Sequence, residues 1–280
     1  MLIKIQSTLR FSVLKSIFTQ NSNHYSLMNV FIAGGTSGIG YALARHYLQK
    51  GYDVGICGRN PEKIPENRHE NLKPFRADVC DIDSIAAALN SFTTGKNSLD
   101  IFINCAGSYA EDVAGKISYE EAEEMLQTNI LGTVNCFEAA RKAMKGQNKG
   151  SIAVIASVSG ILEYENSSLY TKTKRSVIQI ADAYRRALSP FGISVTAIAP
   201  GYVDTEKLRQ LNNNDLGKKP FLTDIETAVA IISEAIERKE KLIIFPIKMK
   251  WMMKSLSLLP SPLLNIIMYR KAKWMKDDRP

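Results

Sequence analysis

The sequence predicts an α/β protein built around a doubly wound parallel sheet of seven strands, with an amphipathic helical extension at its C-terminal end. Short, continuously apolar segments alternate along the chain with longer segments of helical periodicity. The apolar segments lack the polar alternation of a half-exposed strand, which indicates that helices cover both faces of the sheet. Because no repeat or linker-like stretch interrupts this pattern, we expect one domain over residues 28–246, flanked by extensions at 1–27 and 247–280.

The N-terminal half supplies the first four predicted strands. The run "NVFIA" is the first, and the helical pattern after its glycine-rich loop stops at Gly51. The second strand is "DVGIC" and the third lies near "LKPFRAD". Helical patterns at 81–92 and 118–145 flank the fourth, "LDIFINC", and Ser118 with Glu121 forms a capping box for the longer helix.

The C-terminal half supplies the last three strands. "GSIAVIAS" is the fifth and "GISVTAIAP" the sixth, with a helix between them from about residue 168 to Ser189. Thr223 with Glu226 is expected to cap a further helix, and "KLIIF" closes the sheet as the seventh strand.

Composition restricts the class of protein. The four cysteines are far apart without a C-x-x-C pair, which is typical of thiols in a reducing compartment. The three histidines show no metal-ligand spacing, so we expect no metal site. The net charge of +8 lies at the ends, because residues 241–280 carry +7 and residues 1–27 carry +3. A near-neutral body argues against nucleic-acid binding.

The loop "AGGTSGIG" joins the first strand to the first helix. Gly34, Gly38 and Gly40 allow tight turns and a close approach of the backbone to a ligand. The N-terminus of the following helix offers free N–H groups and a partial positive charge to a pyrophosphate. In the first strand–helix–strand unit, this arrangement predicts a dinucleotide site.

Tyr170 and Lys174 are four residues apart on the helix predicted between the fifth and sixth strands. They therefore share one helical face. An ammonium beside a phenol would favour the phenolate and so lower the pKa of Tyr170. The alternative is an exposed, lysine-rich helix start.

Seven short motifs, met in order, resemble the short-chain dehydrogenase/reductase family over roughly residues 29–246. They are the glycine loop, "ADV", "NCAG", "TNILG", "IASVSG", "YTKTK" and "APGYVDT". The resemblance implies a Rossmann-like fold and an NAD(P)-dependent oxidoreductase, functional as a homodimer or homotetramer. It implies cofactor contacts for Gly34, Thr36, Ser37, Gly38, Ile39, Gly40, Asp78, Val79, Asn104, Ala106, Gly107, Tyr170, Lys174, Pro200, Gly201, Val203 and Thr205. Ala33 and Cys105 depart from the family's pattern.

The same resemblance implies four catalytic residues. Tyr170 would exchange the proton of the substrate oxygen, Ser157 would hold that oxygen, and Lys174 would bind the nicotinamide ribose. Asn129 would support a proton relay through water to Lys174.

Arg59 bears on the choice of cofactor. NAD-dependent relatives tend to place an acid at the end of the second strand, where this chain has Gly58 followed by Arg59. A guanidinium without a neighbouring carboxylate can bind a 2′-phosphate, so we expect NADP(H) to be preferred, with NAD(H) as the alternative. NADPH in a reducing cytosol favours reduction of a carbonyl.

The two extensions leave alternatives open. Residues 247–259 predict a helix with Met249, Met252, Met253, Leu256 and Leu259 on one face and Lys250, Lys254 and Ser257 on another. A second apolar-then-basic helix follows Pro262. Such a pair is suited to peripheral contact with a membrane surface, or else to packing on the domain or on a partner subunit.

Residues 1–27 resemble an organelle presequence or lie upstream of a start at Met28. We expect a cytoplasmic protein, peripheral at a membrane surface if the tail binds lipid.

The expected function is reduction of an apolar or lipid-like ketone. The competing hypothesis is a non-catalytic cofactor-binding or membrane-associated scaffold protein of the same fold.

Overall fold

The sheet of the computed structural model has the predicted form. The structure describes residues 28–64, 69–96, 98–110 and 117–268, so the extension at 1–27 lies outside it. Within these ranges seven parallel strands form one sheet in the order β3-β2-β1-β4-β5-β6-β7. The strands are β1 Asn29–Ala33, β2 Asp53–Gly58, β3 Leu72–Arg76, β4 Ile101–Asn104, β5 Gly150–Ile155, β6 Ile193–Pro200 and β7 Leu242–Phe245.

Helices lie on both faces of this sheet, as the continuously apolar strands require. They are α1 Gly38–Gln49, α2 Ile82–Thr93, α3 Tyr119–Leu126, α4 Gly132–Met144, α5 Leu169–Leu188, α6 Glu206–Leu211, α7 Ile225–Glu237, α8 Ile247–Ser257 and α9, residues 261–268. Buried side chains of α2, α4 and α5 form one core cluster with the sheet. Those of α1 and α7 form a second cluster with the alternate strand residues. The predicted fold class is confirmed.

The strand order reverses between β1 and β4. Ala33 at the end of β1 is paired with Cys57 of β2 and with Asn104 of β4. Three strand ends therefore meet at one point of the sheet edge. In open α/β sheets, ligands bind in the crevice at such a switch point.

One predicted helix contains an unpredicted turn, and one predicted helix cap was wrong. The helix predicted at 118–145 is interrupted by a π-helical turn at Gln127–Leu131, although the capping box of Ser118 and Glu121 is present. Asp224, not Thr223, caps α7, because its carboxylate accepts the Thr227 amide at 2.7 Å. Thr223 instead donates its own amide to the Tyr202 carbonyl at 2.9 Å, and this pairing ends before the helix begins.

The C-terminal tail packs on the domain. Met249 and Met253 of α8 and Leu264 of α9 are buried against Leu162, with Tyr164 and other partly buried side chains around them. The apolar face predicted for α8 is thus an inner, packed face, and the packing alternative is correct for it. The described part of the chain contains no helix long and apolar enough to cross a bilayer.

Candidate active site

The glycine loop lies against the segment that follows β4. Gly34 has a φ of +69°, and a Cβ added there would lie 2.6 Å from the Ala106 nitrogen. A Cβ on Gly40 would lie 2.2 Å from the Gly34 carbonyl oxygen. Side chains are therefore excluded from the crevice by close backbone contact, which keeps its floor open to a ligand.

The start of α1 has unused hydrogen-bonding groups. Ser37 occupies the N-cap position, but its exposed hydroxyl makes no capping bond, and the first turn of α1 contains no acid. A helix N-terminus with free N–H groups and no competing carboxylate fits the diphosphate of a dinucleotide. Thr36, Gly38 and Ile39 lie in this same turn.

The predicted adenine-side and central residues lie along the crevice. Asp78 and Val79 follow β3, where the Asp78 carboxylate accepts the Cys80 amide at 2.9 Å. The Asn104 side chain accepts the Ala106 amide at 3.0 Å and donates to Thr133 of α4 at 3.3 Å. Asn104 thereby fixes the turn that carries Ala106 and Gly107.

The segment after β6 is tied to its neighbours. The Gly201 amide, just after Pro200, donates to the Phe245 carbonyl at 2.8 Å. Val203 forms a parallel bridge with Thr223, and the Thr205 hydroxyl caps α6 by accepting the Leu208 amide at 3.2 Å. Pro200, Gly201, Val203 and Thr205 thus form one ordered loop at the carboxyl end of the sheet.

The four residues predicted as catalytic lie close together. Ser157 follows β5, and its hydroxyl is hydrogen-bonded to that of Tyr170 in the first turn of α5. The Lys174 ammonium lies 5.8 Å from the centre of the Tyr170 ring and donates to the Ile155 carbonyl at 3.1 Å. A Cβ on Gly107 would lie 3.2 Å from that ammonium and 3.4 Å from the Asn129 amide oxygen.

The π-helical turn positions Asn129. Its amide nitrogen donates to the Ser108 carbonyl and to the Thr173 hydroxyl, both at 3.0 Å, and its oxygen accepts the Ser108 amide at 2.9 Å. A π turn inserted in a helix often marks a functional site because it redirects one side chain. Here it joins the segment after β4 to α5.

Burial dominates the electrostatics of this group. It raises the pKa of Tyr170 to about 12, against the lowering effect of the hydrogen bond from Ser157. Burial and the nearby Lys207 ammonium lower the pKa of Lys174 to about 8. In this structure Lys174 therefore does not make Tyr170 acidic as expected, and the phenol is held in its proton-bearing form.

Arg59 lies apart from the buried group. Its guanidinium, 68% exposed, is 3.4 Å from the Glu124 carboxylate of α3. The sequence predicted no carboxylate beside Arg59, but α3 brings one to this loop after β2. The adjacent Gly58 has no room for a side chain, because an added Cβ would lie 2.7 Å from the Thr36 hydroxyl oxygen.

Three side chains around this group were not predicted. Tyr109 meets Tyr170 edge-to-face at a centroid distance of 5.0 Å, and Tyr202 contributes to the raised pKa of Tyr170. The Lys207 ammonium lies 3.4 Å from the Gly107 carbonyl. Tyr202 lies within the motif "APGYVDT", and Tyr109 and Lys207 each come two residues after a motif, so that proximity in sequence was the available signal.

The tail forms one wall beside this group. A Cβ on Gly201 would lie 3.3 Å from the Met249 methyl carbon, and the Asn265 side chain accepts the Glu165 amide at 3.0 Å. Val158, Ile161 and Tyr202 complete the same apolar cluster. The tail therefore contacts both the loop after Ser157 and the loop after β6.

Known proteins are similar to this chain in sequence and architecture. A family model described as short chain dehydrogenase matches residues 28–216. The 3-oxoacyl-[acyl-carrier-protein] reductase FabG of Staphylococcus aureus (strain Mu50 / ATCC 700699) is 28% identical over 207 residues, which cover 71% of this chain and 83% of the relative. An uncharacterized oxidoreductase of strain MW2 is 32% identical over 202 residues, covering 71% and 87%.

A solved structure described as ElxO with NADP bound has a TM-score of 0.70 and 26% identity, covering 78% of this chain and 96% of that one. The family match extends over well more than half of the present chain and includes the glycine loop, Ser157, Tyr170 and Lys174. The chain therefore belongs to the short-chain dehydrogenase family and is a dinucleotide-dependent oxidoreductase.

Proposed function

We propose that this protein is an NADP(H)-dependent carbonyl reductase that acts on an apolar, lipid-like ketone. The observation that carries the proposal is the half-buried, hydrogen-bonded pair of Ser157 and Tyr170, with the buried side chains of Lys174 and Asn129 beside it. A non-catalytic scaffold would not need a phenol, an ammonium and a hydroxyl gathered in one place.

The residues of this chain would divide the reaction between them. The cofactor, when bound, supplies a hydride to the carbonyl carbon. The Tyr170 hydroxyl donates a proton to the substrate oxygen as negative charge develops there, and the Ser157 hydroxyl holds that oxygen by a hydrogen bond. A Tyr170 pKa of about 12 keeps the proton on the phenol, which suits the reductive direction.

Lys174 and Asn129 have supporting roles in this proposal. Lys174 would bind the nicotinamide ribose from the side of Gly107, and Asn129 fixes Ser108 and Thr173 around it. A Lys174 pKa of about 8 lets the ammonium release and regain a proton near neutral pH.

The preference for NADP(H) is supported by Arg59 and Gly58. Thr36 fills the space that an acidic side chain at position 58 would need. The exposed pair of Arg59 with Glu124 is worth only about 0–1 kcal/mol. A charge-assisted bond to a 2′-phosphate is worth about 1.5–3 kcal/mol, so the phosphate can displace Glu124. The NADP in the ElxO structure is consistent with this choice.

An apolar substrate is supported by the wall beside the catalytic group. Leu162, Met249 and Met253 are buried there, and Tyr109 and Tyr202 lie next to Tyr170. Methionine side chains adapt to irregular apolar shapes, which suits a chain of variable length. FabG reduces a 3-oxoacyl group according to its name, and we propose the same reaction type on an apolar carbonyl here.

We also propose that residues 28–246 form the catalytic unit and that the tail, 247–280, makes a peripheral contact with a membrane surface. Support comes from charge, because residues 241–276 contain no Asp or Glu. The inner face of α8 cannot serve this contact, since Met249 and Met253 are packed on the domain. Residues 269–280, including Trp274, lie outside the described residues.

The test is NADPH oxidation measured with a series of ketones of increasing chain length. We expect kcat/KM to rise with chain length, and a kcat/KM that does not change along the series would contradict an apolar pocket.

Cofactor choice is tested by Arg59→Ala, which should weaken NADPH binding about ten- to a hundred-fold and leave NADH binding unchanged. Glu124→Gln is the matched control and should not weaken NADPH binding; equal losses for both cofactors would refute the assignment.

A further inference from the structure

Helix α8 carries large apolar side chains on two opposite sides. Met249 and Met253 face the domain and are buried. Ile247, Trp251 and Leu258 are separated by four and seven residues, so they form a second stripe, on the far side of the helix. They are 60%, 58% and 79% exposed, respectively. Lys250 and Lys254 lie on the same side, but a helix that only capped the domain would not need large apolar residues among them.

Helix α9 repeats this arrangement. Leu264 is buried against the domain, whereas Leu263, Ile266 and Ile267 are exposed. We call these three residues, together with Ile247, Trp251 and Leu258, the outer face. Six large apolar side chains exposed within 21 residues mark an interaction surface, because isolated surface hydrophobics are common but such groups are not.

Cations surround the outer face. Lys248, Lys250 and Lys254 are on α8, and the Lys254 ammonium lies 5.1 Å from the centre of the Trp251 ring. Residues 269–276 continue the chain with four more Lys or Arg and no acid. The surface that covers the outer face must therefore be apolar and negatively charged at its edge.

A bilayer containing anionic lipids has both properties. Tryptophan and long basic side chains favour the interface, where an apolar ring is buried and an ammonium reaches the headgroups. A second copy of this chain is a poorer partner. In a twofold dimer the same patch meets itself, and two lysine-rich edges without acids would repel each other.

We infer that the outer face docks on an anionic bilayer and holds the two loops beside the catalytic group near it, so that the ketone enters from the lipid. The inner residues of the same helices contact Tyr202 and Leu162, which lie in the two loops beside the catalytic group. This inference rests on the membrane contact and the apolar substrate proposed above, and it specifies the surface and the lipid.

The test is flotation of the full-length protein with vesicles of phosphatidylcholine containing phosphatidylglycerol. The double variant Trp251→Glu/Leu258→Glu should reduce partitioning at least about tenfold, because two apolar side chains are no longer buried. The control Tyr119→Glu/Leu126→Glu adds the same charge at two exposed apolar positions on α3 and should bind like wild type. High salt should weaken binding of the wild type.

A second measurement reports the depth of the outer face directly. In Trp274→Phe, Trp251 is the remaining tryptophan, and brominated lipids should quench its fluorescence. Absence of quenching, or a double variant that binds like wild type, would overturn the inference even if the protein binds vesicles. If the wild-type protein does not bind vesicles and the double variant changes its oligomeric state, the outer face is a contact between copies of this chain. NADPH oxidation with a water-soluble ketone should be unchanged in the double variant. This assay tests the reductase proposal separately from the membrane contact.

Discussion

The cofactor side of the crevice and the tail side are built by different physical means. On the cofactor side, backbone contacts determine the structure: an added Cβ would lie 2.6 Å from Ala106 at Gly34 and 2.2 Å from the Gly34 oxygen at Gly40. On the tail side, flexible side chains such as Met249 and Met253 pack against aromatic neighbours. The first kind of site tolerates one ligand shape, and the second adapts to many.

This difference separates what the family shares from what distinguishes this chain. The family match ends at residue 216, well before α8 begins at Ile247. The cofactor and catalytic residues lie before that point, and much of the apolar wall lies after it. Substitutions on the two sides should therefore have different effects on turnover, cofactor binding and stability.

The largest effect is expected at the catalytic group. Tyr170→Phe keeps the ring and its contact with Tyr109 but removes the proton donor, so kcat should fall about 10²–10⁴-fold. NADPH binding, measured by fluorescence titration, should remain near the wild-type value. Tyr202→Phe removes a neighbouring phenol and should cost far less. Retention of more than about a tenth of wild-type turnover in Tyr170→Phe would refute its role.

The inner and outer faces of α8 provide the next contrast. Met249→Ala empties a buried position and should lower the free energy of unfolding by about 2–4 kcal/mol. Leu258→Ala changes a side chain that is 79% exposed and should stay within about 0.5 kcal/mol of wild type. Denaturant unfolding measures both. Equal effects would mean that α8 does not pack on the domain as described.

The fold and the catalytic group could be predicted from sequence because both depend on local patterns. Tyr170 and Lys174 share a helical face by their spacing, and the glycine loop has a required order between a strand and a helix. The pKa shift of Tyr170 and the orientation of the tail depend instead on tertiary burial. The direction of the pKa shift at Tyr170 follows from desolvation, which spacing does not reveal.

The orientation of the tail could not be predicted from the sequence either. Met249 and Trp251 are both apolar in the pattern of α8, and only packing shows that one faces the domain and the other faces outward. The pairing of Arg59 with Glu124 also joins segments 65 residues apart. No periodicity connects such positions.

Close backbone contacts on the cofactor side predict that a substitution in the glycine loop costs less stability than Met249→Ala. Gly40→Ala places a methyl group against the Gly34 carbonyl and should cost about 1–3 kcal/mol, with weaker NADPH binding as the loop shifts. Gly146→Ala is the control, since an added Cβ there meets nothing within 4 Å. Thermal unfolding with and without NADPH measures both effects. An unchanged Gly40→Ala protein would show that the loop is more compliant than its contacts imply.

The smallest expected effect is a pH dependence carried by Lys174. Its folded pKa of about 8 lies below the unfolded value of about 10.4, so the unfolded chain binds more protons between these pH values. Stability should therefore rise with pH across that window, relative to Lys174→Met, which cannot titrate. From about pH 8 to about pH 9 we expect a relative gain of about 1 kcal/mol in the free energy of unfolding of the cofactor-free protein.

The control for this measurement is Lys172→Met, which removes an exposed ammonium from the same helix. It should not reproduce the pH-dependent difference. A difference between wild type and Lys174→Met that is flat or falls with pH would mean that the ammonium is not desolvated. The catalytic group would then be more open to water in solution than the burial of the Lys174 side chain implies.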